Sequence, residues 1–188
     1  MSREGSKKSV HTLPIARTLR QQSGKQSQEE HDRLTGLPLT TNLPEVIARV
    51  TQVLPRERSV CLLFVDVVRL SEINASQGRS VGDQVLLEVA RTAQECLGTT
   101  DMLFRHADDE FVALLGSGDV AAIAAVAKRI RDHVRAHKVT AKDGSAVGFM
   151  VSTHTLSVGS DSPSLQGLFQ GSLVSAEVPR PSSASRIH

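Results

Sequence analysis

Three consecutive carboxylates, Asp108, Asp109 and Glu110, stand between two apolar runs, residues 102–104 and 111–115. Short apolar runs joined by a tight polar connection read as a β-hairpin, which puts the acids at or beside its tip. A fourth carboxylate, Asp66, closes the run Val60-Cys61-Leu62-Leu63-Phe64-Val65. If that run neighbours the hairpin, Asp66 and Asp109 can share a divalent cation. A hard ion such as Mg²⁺ takes one or two carboxylates and completes its shell with water and phosphate oxygens. The alternative for each acid is a solvated turn or a cap.

These acids need elements to hold them. A run as apolar as residues 60–65 reads as a central strand covered on both faces. Before it, Thr41-Asn42 offers an N-cap and Pro44 an early helical position, opening a helix over residues 43–54 with Leu43, Val46, Ile47 and Val50 on one face. A short helix is expected over residues 70–76. Gly78 and Gly82 bracket a loop, and Gly82-Asp83 opens a longer helix with Val85, Leu86, Val89, Ala90, Ala93 and Leu97 on one stripe. Asp119 caps a third helix running to about His137, whose basic end suits its C-terminal dipole. Residues 142–145 form a turn, residues 146–156 a strand, and residues 165–174 a last short helix. The order implies an α/β sandwich with a mostly antiparallel sheet.

The totals fit one domain between tails. Residues 1–30 and 176–188 are polar stretches that cannot bury enough surface to offset chain entropy, and residues 31–175 form the domain. Residues 10–16 make a small apolar island in the first tail, read either as a docking segment or as idle chain. Tyr and Trp are absent, so the core is aliphatic with a few Phe. The net charge of +2 demands neither nucleic acid nor an anionic membrane. Cys61 and Cys96 are far apart and read as core and helix packing in a reducing, cytoplasmic compartment. No run suits a membrane span, and the N-terminus does not read as a signal peptide. His133 and His137 stand four apart on a helix and read as an exposed basic end rather than a metal pair, and His106 reads as an exposed hairpin residue. The basic face of Lys128, Arg129, Arg131 and Arg135 lacks the aromatic residues that would stack nucleic-acid bases.

Taken together, Asp32-x-Leu34-Thr35-Gly36-Leu37-Pro38, Asp66, Ile73-Asn74, Gly78-x-x-Val81-Gly82-Asp83-x-Val85-Leu86 and Arg105-x-x-x-Asp109-Glu110-Phe111 resemble the GGDEF family of diguanylate cyclase domains. The resemblance covers residues 32–160. It implies a polymerase-palm-like α/β fold and condensation of two GTP into cyclic di-GMP. Position by position, it makes Asp66 and Asp109 the metal ligands, with Asp109 and Glu110 the family-equivalent catalytic acids. Asn74 and Asp83 match the pair that reads the guanine edge. A carboxylate can accept from guanine N1–H and N2–H while an amide serves another polar atom.

The departures fall on the phosphate side. The two glycines of the signature are Ala107 and Asp108, which line the nucleotide-binding position, and a Cβ there obstructs close backbone approach. At ~4 Å, the Asp108 charge repels a phosphate by roughly 1–4 kcal/mol across bulk-water to surface dielectrics. The second acid of the D-x-D motif is Val68, and the Phe-Lys after it is Leu70-Ser71. The Asp after the Asn is Ala75, and the Gly-His pair is Gly78-Arg79. The inhibitory R-x-x-D reads Gly98-x-x-Asp101, and the C-terminal lysine helix is not recognisable. The expectation is a degenerate, catalytically inactive domain with weak Mg²⁺ binding. It would act through a protein partner engaged by residues 1–30, with residual affinity for GTP or cyclic di-GMP. The competing expectation is a weak but true diguanylate cyclase.

Overall fold

Strand β1, Ser59–Val67, is the centre of the molecule. The computed structural model describes residues 30–53 and 59–159. β1 pairs antiparallel with β3, Glu110–Leu115, on one side and with β6, Val151–Gly159, on the other. β3 pairs antiparallel with β2, Met102–Arg105, so the four-stranded sheet has the order β2-β3-β1-β6.

The alternation of side chains along β1 explains its unbroken apolar sequence. Cys61, Leu63, Val65 and Val67 face one core, and Val60, Leu62 and Phe64 face the other. On the first face lie α2, Leu70–Gln77, α3, Arg79–Cys96, and α4, Val120–Ala136. Val81, Val85, Val89 and Ala93 of α3 pack there with Ile123, Ala127, Ile130 and Val134 of α4. On the second face, α1, Leu43–Val53, buries Leu43, Ile47 and Val50 against Phe104, Val112 and Leu114. A 3-10 turn, Thr40–Asn42, leads into α1.

The expected helices over residues 43–54, 70–76 and 120–137 correspond to α1, α2 and α4. Asp119 Oδ1 accepts from the N–H groups of Ala121 and Ala122, capping α4. Two boundaries differ. Gly82-Asp83 does not open α3. The helix begins at Arg79, directly after Gly78, whose φ of 88° lets the chain reverse out of α2. The strand expected over residues 146–156 is broken at Phe149-Met150. Its first part, β5, Ala146–Gly148, pairs with an unforeseen strand β4, Lys138–Thr140, in a separate two-stranded sheet. Among the described residues no helix is long and apolar enough to cross a membrane. The expected helix over residues 165–174, the island at residues 10–16 and most of both expected tails lie outside the described residues.

Candidate functional site

The β2–β3 ladder ends at the pair Arg105–Phe111, leaving residues 106–109 as the hairpin tip. The N–H groups of His106 and Ala107 both donate to the Glu110 carbonyl, at 2.9 and 3.3 Å. Val67 N–H donates to the Asp109 carbonyl at 2.9 Å, fastening the tip to the end of β1. β1 and the hairpin are therefore neighbours, and Asp66 stands opposite Glu110 in register. Among the described residues no three His, Cys, Asp or Glu side chains gather into a group that would hold a metal ion by themselves.

Two of these acids sit where their charged forms are disfavoured. Burial, and then the charge of Asp109, push the Asp66 carboxyl above its ordinary range; His154 partly opposes them. Burial also raises Glu110, helped by Asp66 and Asp109 and opposed by His154. A divalent cation between Asp66 and Asp109 would relieve that repulsion, so these two residues fit the expected metal.

Arg105 braces the tip from below. It is 7% exposed, and its Cζ lies 4.4 Å from the centroid of the Phe111 ring. Nη2 donates to the backbone carbonyl of Asp108, while Nη1 is buried without a hydrogen-bond partner. Burial lowers its pKa, offset in part by the charges of Asp32, Asp108 and Asp109. Its own N–H donates to the Pro38 carbonyl at 2.9 Å, tying the Asp32 turn to the hairpin. That turn is closed by Asp32 Oδ2, which accepts from the Thr35 N–H at 2.8 Å and the Thr35 hydroxyl at 2.6 Å.

His106 is half-buried, not exposed as its place in the hairpin suggested. Its Nδ1 is 2.8 Å from Thr40 Oγ1, and its Nε2 is 3.7 Å from Glu110 Oε2. Burial depresses its pKa. His154 stacks on Phe64, with centroids 4.3 Å apart and rings inclined by 7°. Its sequence gave no sign of this, because the register of β6 on β1 decides which ring it meets.

The two residues expected to meet a base lie on different helices. Asn74 is on α2, and its Oδ1 is buried without a hydrogen-bond partner. Asp83 is exposed on α3, immediately after Gly82. Val68 and Arg69, just beyond Asp66, line a cleft of about 480 Å³ with Ile73, Phe149 and Met150. Arg69 has a φ of 61° and its guanidinium is paired with Glu72, Nε to Oε1 being 2.7 Å. Asp101 accepts from the backbone N–H groups of Gly98 and Gly116, at 2.9 and 3.0 Å, so its carboxylate is engaged by its own chain. His137 Nδ1 lies 2.7 Å from the His133 carbonyl, one turn back along α4.

Residues 29–170 match the protein family described as diguanylate cyclase, GGDEF domain. Diguanylate cyclase A of Treponema denticola is 29% identical over 115 residues, covering 61% of this chain and 31% of that protein. The fold is also that of a diguanylate cyclase, SiaD of Pseudomonas aeruginosa, solved in complex with its activator SiaC. The TM-score is 0.70 and the identity 26%, covering 85% of this chain and 60% of that one. A structure comprising only the GGDEF domain of TpbB from Pseudomonas aeruginosa gives a TM-score of 0.62 at 27% identity, covering 67% and 74% of the two chains. The chain spans about a third of the length of the Treponema relative.

Proposed function

The chain belongs to the GGDEF family of diguanylate cyclase domains, and from that premise we propose that it is a degenerate member: a regulatory, protein-interaction module that still reads a guanine nucleotide and does not condense GTP. The observation that carries this reading is the charge around the tip. Asp108 adds a further carboxylate to a tip that already carries Asp109 and Glu110, and among the described residues the two arginines flanking Asp66 and the tip each already make a contact within the chain. Arg105 lies beneath the tip and donates to the Asp108 carbonyl, and Arg69 is paired with Glu72. Phosphoryl transfer relies on positioning and on neutralising charge on the phosphoryl oxygens. A surplus anion at the phosphate position works against both.

Asp66 and Asp109 would hold magnesium weakly, and the bound ion would neutralise phosphate charge. Asn74 and Asp83 would meet the base. Ala107 and Asp108 are where the nucleotide's phosphates would approach the backbone. The domain would act in cytoplasmic cyclic di-GMP signalling. The complex between SiaD and its activator supports a protein partner, which we assign to residues 1–30.

Titration calorimetry with GTP and with cyclic di-GMP, each with and without Mg²⁺, tests the nucleotide half, and an assay for cyclic di-GMP formation tests the enzymatic half. Weak GTP binding without product is expected. Product formation abolished by Asp109→Ala would establish the alternative, a weak diguanylate cyclase, which the adjacency of Asp66 and the tip favours. Co-purification with and without residues 1–30 tests the partner assignment.

A further inference from the structure

The amide of Asn74 lies directly against Gly82. A Cβ at Gly82 would fall 1.9 Å from Asn74 Oδ1 and 2.9 Å from Asn74 Cγ, but 3.4 Å from Nδ2. The carbonyl end of the amide therefore occupies the volume in which any other residue would carry its side chain. Gly82 is inside α3 and outside the set of positive-φ glycines. Backbone freedom does not explain it, and glycine within a helix is unfavourable relative to alanine. What glycine supplies here is space.

The second observation is that Asn74 Oδ1 is buried without a hydrogen-bond donor. An acceptor left in that state is unfavourable. Both penalties meet at one contact, and both serve one result: the orientation of the amide. With Oδ1 lodged against α3, Nδ2 is the end turned from the helix, and its two N–H groups are the donors left for a ligand. Asp83, the residue after Gly82, supplies an exposed carboxylate. A donor beside an acceptor pair matches guanine, which offers N1–H and N2–H to a carboxylate and a ring or carbonyl acceptor to an amide. Adenine has no N1–H, and its N1 lone pair would face the Asp83 carboxylate.

We infer that Gly82 is a positioning residue for base selection, fixing the Asn74 amide in the orientation that prefers guanine over adenine. This rests on the nucleotide reading above, and the test separates the two. The full-length chain is titrated with GTP and ATP in Mg²⁺ as wild type, Gly82→Ala, Asn74→Ala and the double variant. The wild type should prefer GTP. Gly82→Ala and Asn74→Ala should each lower that preference by about tenfold, the scale of one hydrogen bond. The double variant should be no worse than Asn74→Ala alone, because the methyl then has nothing to displace.

A wild type with no preference for GTP overturns the nucleotide reading. A preference lost in Asn74→Ala but kept in Gly82→Ala overturns the inference and leaves that reading standing. The contact is also read without ligand. The side-chain amide signals of Asn74, identified by their absence from the NMR spectrum of Asn74→Ala, should move in Gly82→Ala, and unmoved signals overturn the inference. If Gly82→Ala does not fold, the double variant should recover folding, and its failure to do so also overturns the inference.

Discussion

Asp66 and Glu110 face each other as Cα partners across β1 and β3, and both carboxyls are held above their ordinary range, by burial first. The native state therefore binds these protons more tightly than the unfolded chain does. Stability must fall as pH rises from the ordinary carboxylate value, about 4, through the raised native values, and the full penalty is present above them.

Asp66→Asn removes one source of that penalty. In EDTA the variant should melt higher than the wild type at pH 8, and the difference should vanish as the pH falls below about 4. Thermal unfolding followed by circular dichroism across this range checks the sign. Adding Mg²⁺ at pH 8 should raise the melting temperature of the wild type and leave that of Asp66→Asn unchanged, since only a ligand that binds the native state stabilises it.

Arg105 joins the hairpin tip to the chain beneath it. Arg105→Ala removes the contact with Phe111 and the donor to the Asp108 carbonyl. A loss of about 2–4 kcal/mol is expected from the charge-assisted hydrogen bond and the cation–π contact together. Urea unfolding measures it. Arg105→Lys keeps the charge but not the planar fork, and should recover less than half.

The tip can be returned to the family pattern. Ala107→Gly with Asp108→Gly removes a Cβ and a carboxylate, and GTP should bind at least about fivefold more tightly at low ionic strength. That corresponds to the ~1 kcal/mol repulsion expected near bulk-water dielectric. Raising the salt should shrink the gain. Calorimetry that finds no gain at low salt would remove the electrostatic argument for lost turnover.

Two glycines make a contrast that needs no ligand. A Cβ at Gly78 or at Gly148 would touch nothing within 4 Å. Gly78, however, has φ 88° and ψ 156°, a region nearly confined to glycine. Gly78→Ala should therefore cost about 1–3 kcal/mol through the backbone alone. Gly148 has no positive φ, and Gly148→Ala should change stability by less than about 0.5 kcal/mol. Chemical denaturation of both variants settles the comparison.

What the sequence disclosed was set by periodicity and by local chemistry. The double-sided burial of β1 was legible because residues 60–65 are apolar without interruption, and α4 because Asp119 precedes a helical stripe. The start of α3 was misread because Gly82 looked like loop punctuation; its glycine answers to Asn74, a neighbour in space that no local pattern reveals. β4 was missed because three residues carry too little alternation to register. At the site, the proximity of Asp66 to the tip stayed conditional in the sequence, because it depends on β1 pairing with β3, a long-range choice that no local pattern carries. Arg105, His106 and His154 take their surroundings from register and from chain segments far away in sequence. A charged residue ending an apolar run just before the tip was the one signal that could have marked Arg105.

Apart from buried Leu70, which keeps an apolar side chain where the pattern has Phe, the described positions where this chain leaves the GGDEF pattern, Val68, Ser71, Ala75, Arg79, Gly98, Ala107 and Asp108, are exposed or half-exposed. Changes at such places seldom disturb folding, so packing alone gives selection no grip on them. An exposed rim can therefore change its chemistry while the core that shapes it is untouched, which is how, on the proposed reading, an architecture would outlast the trade that once went with it.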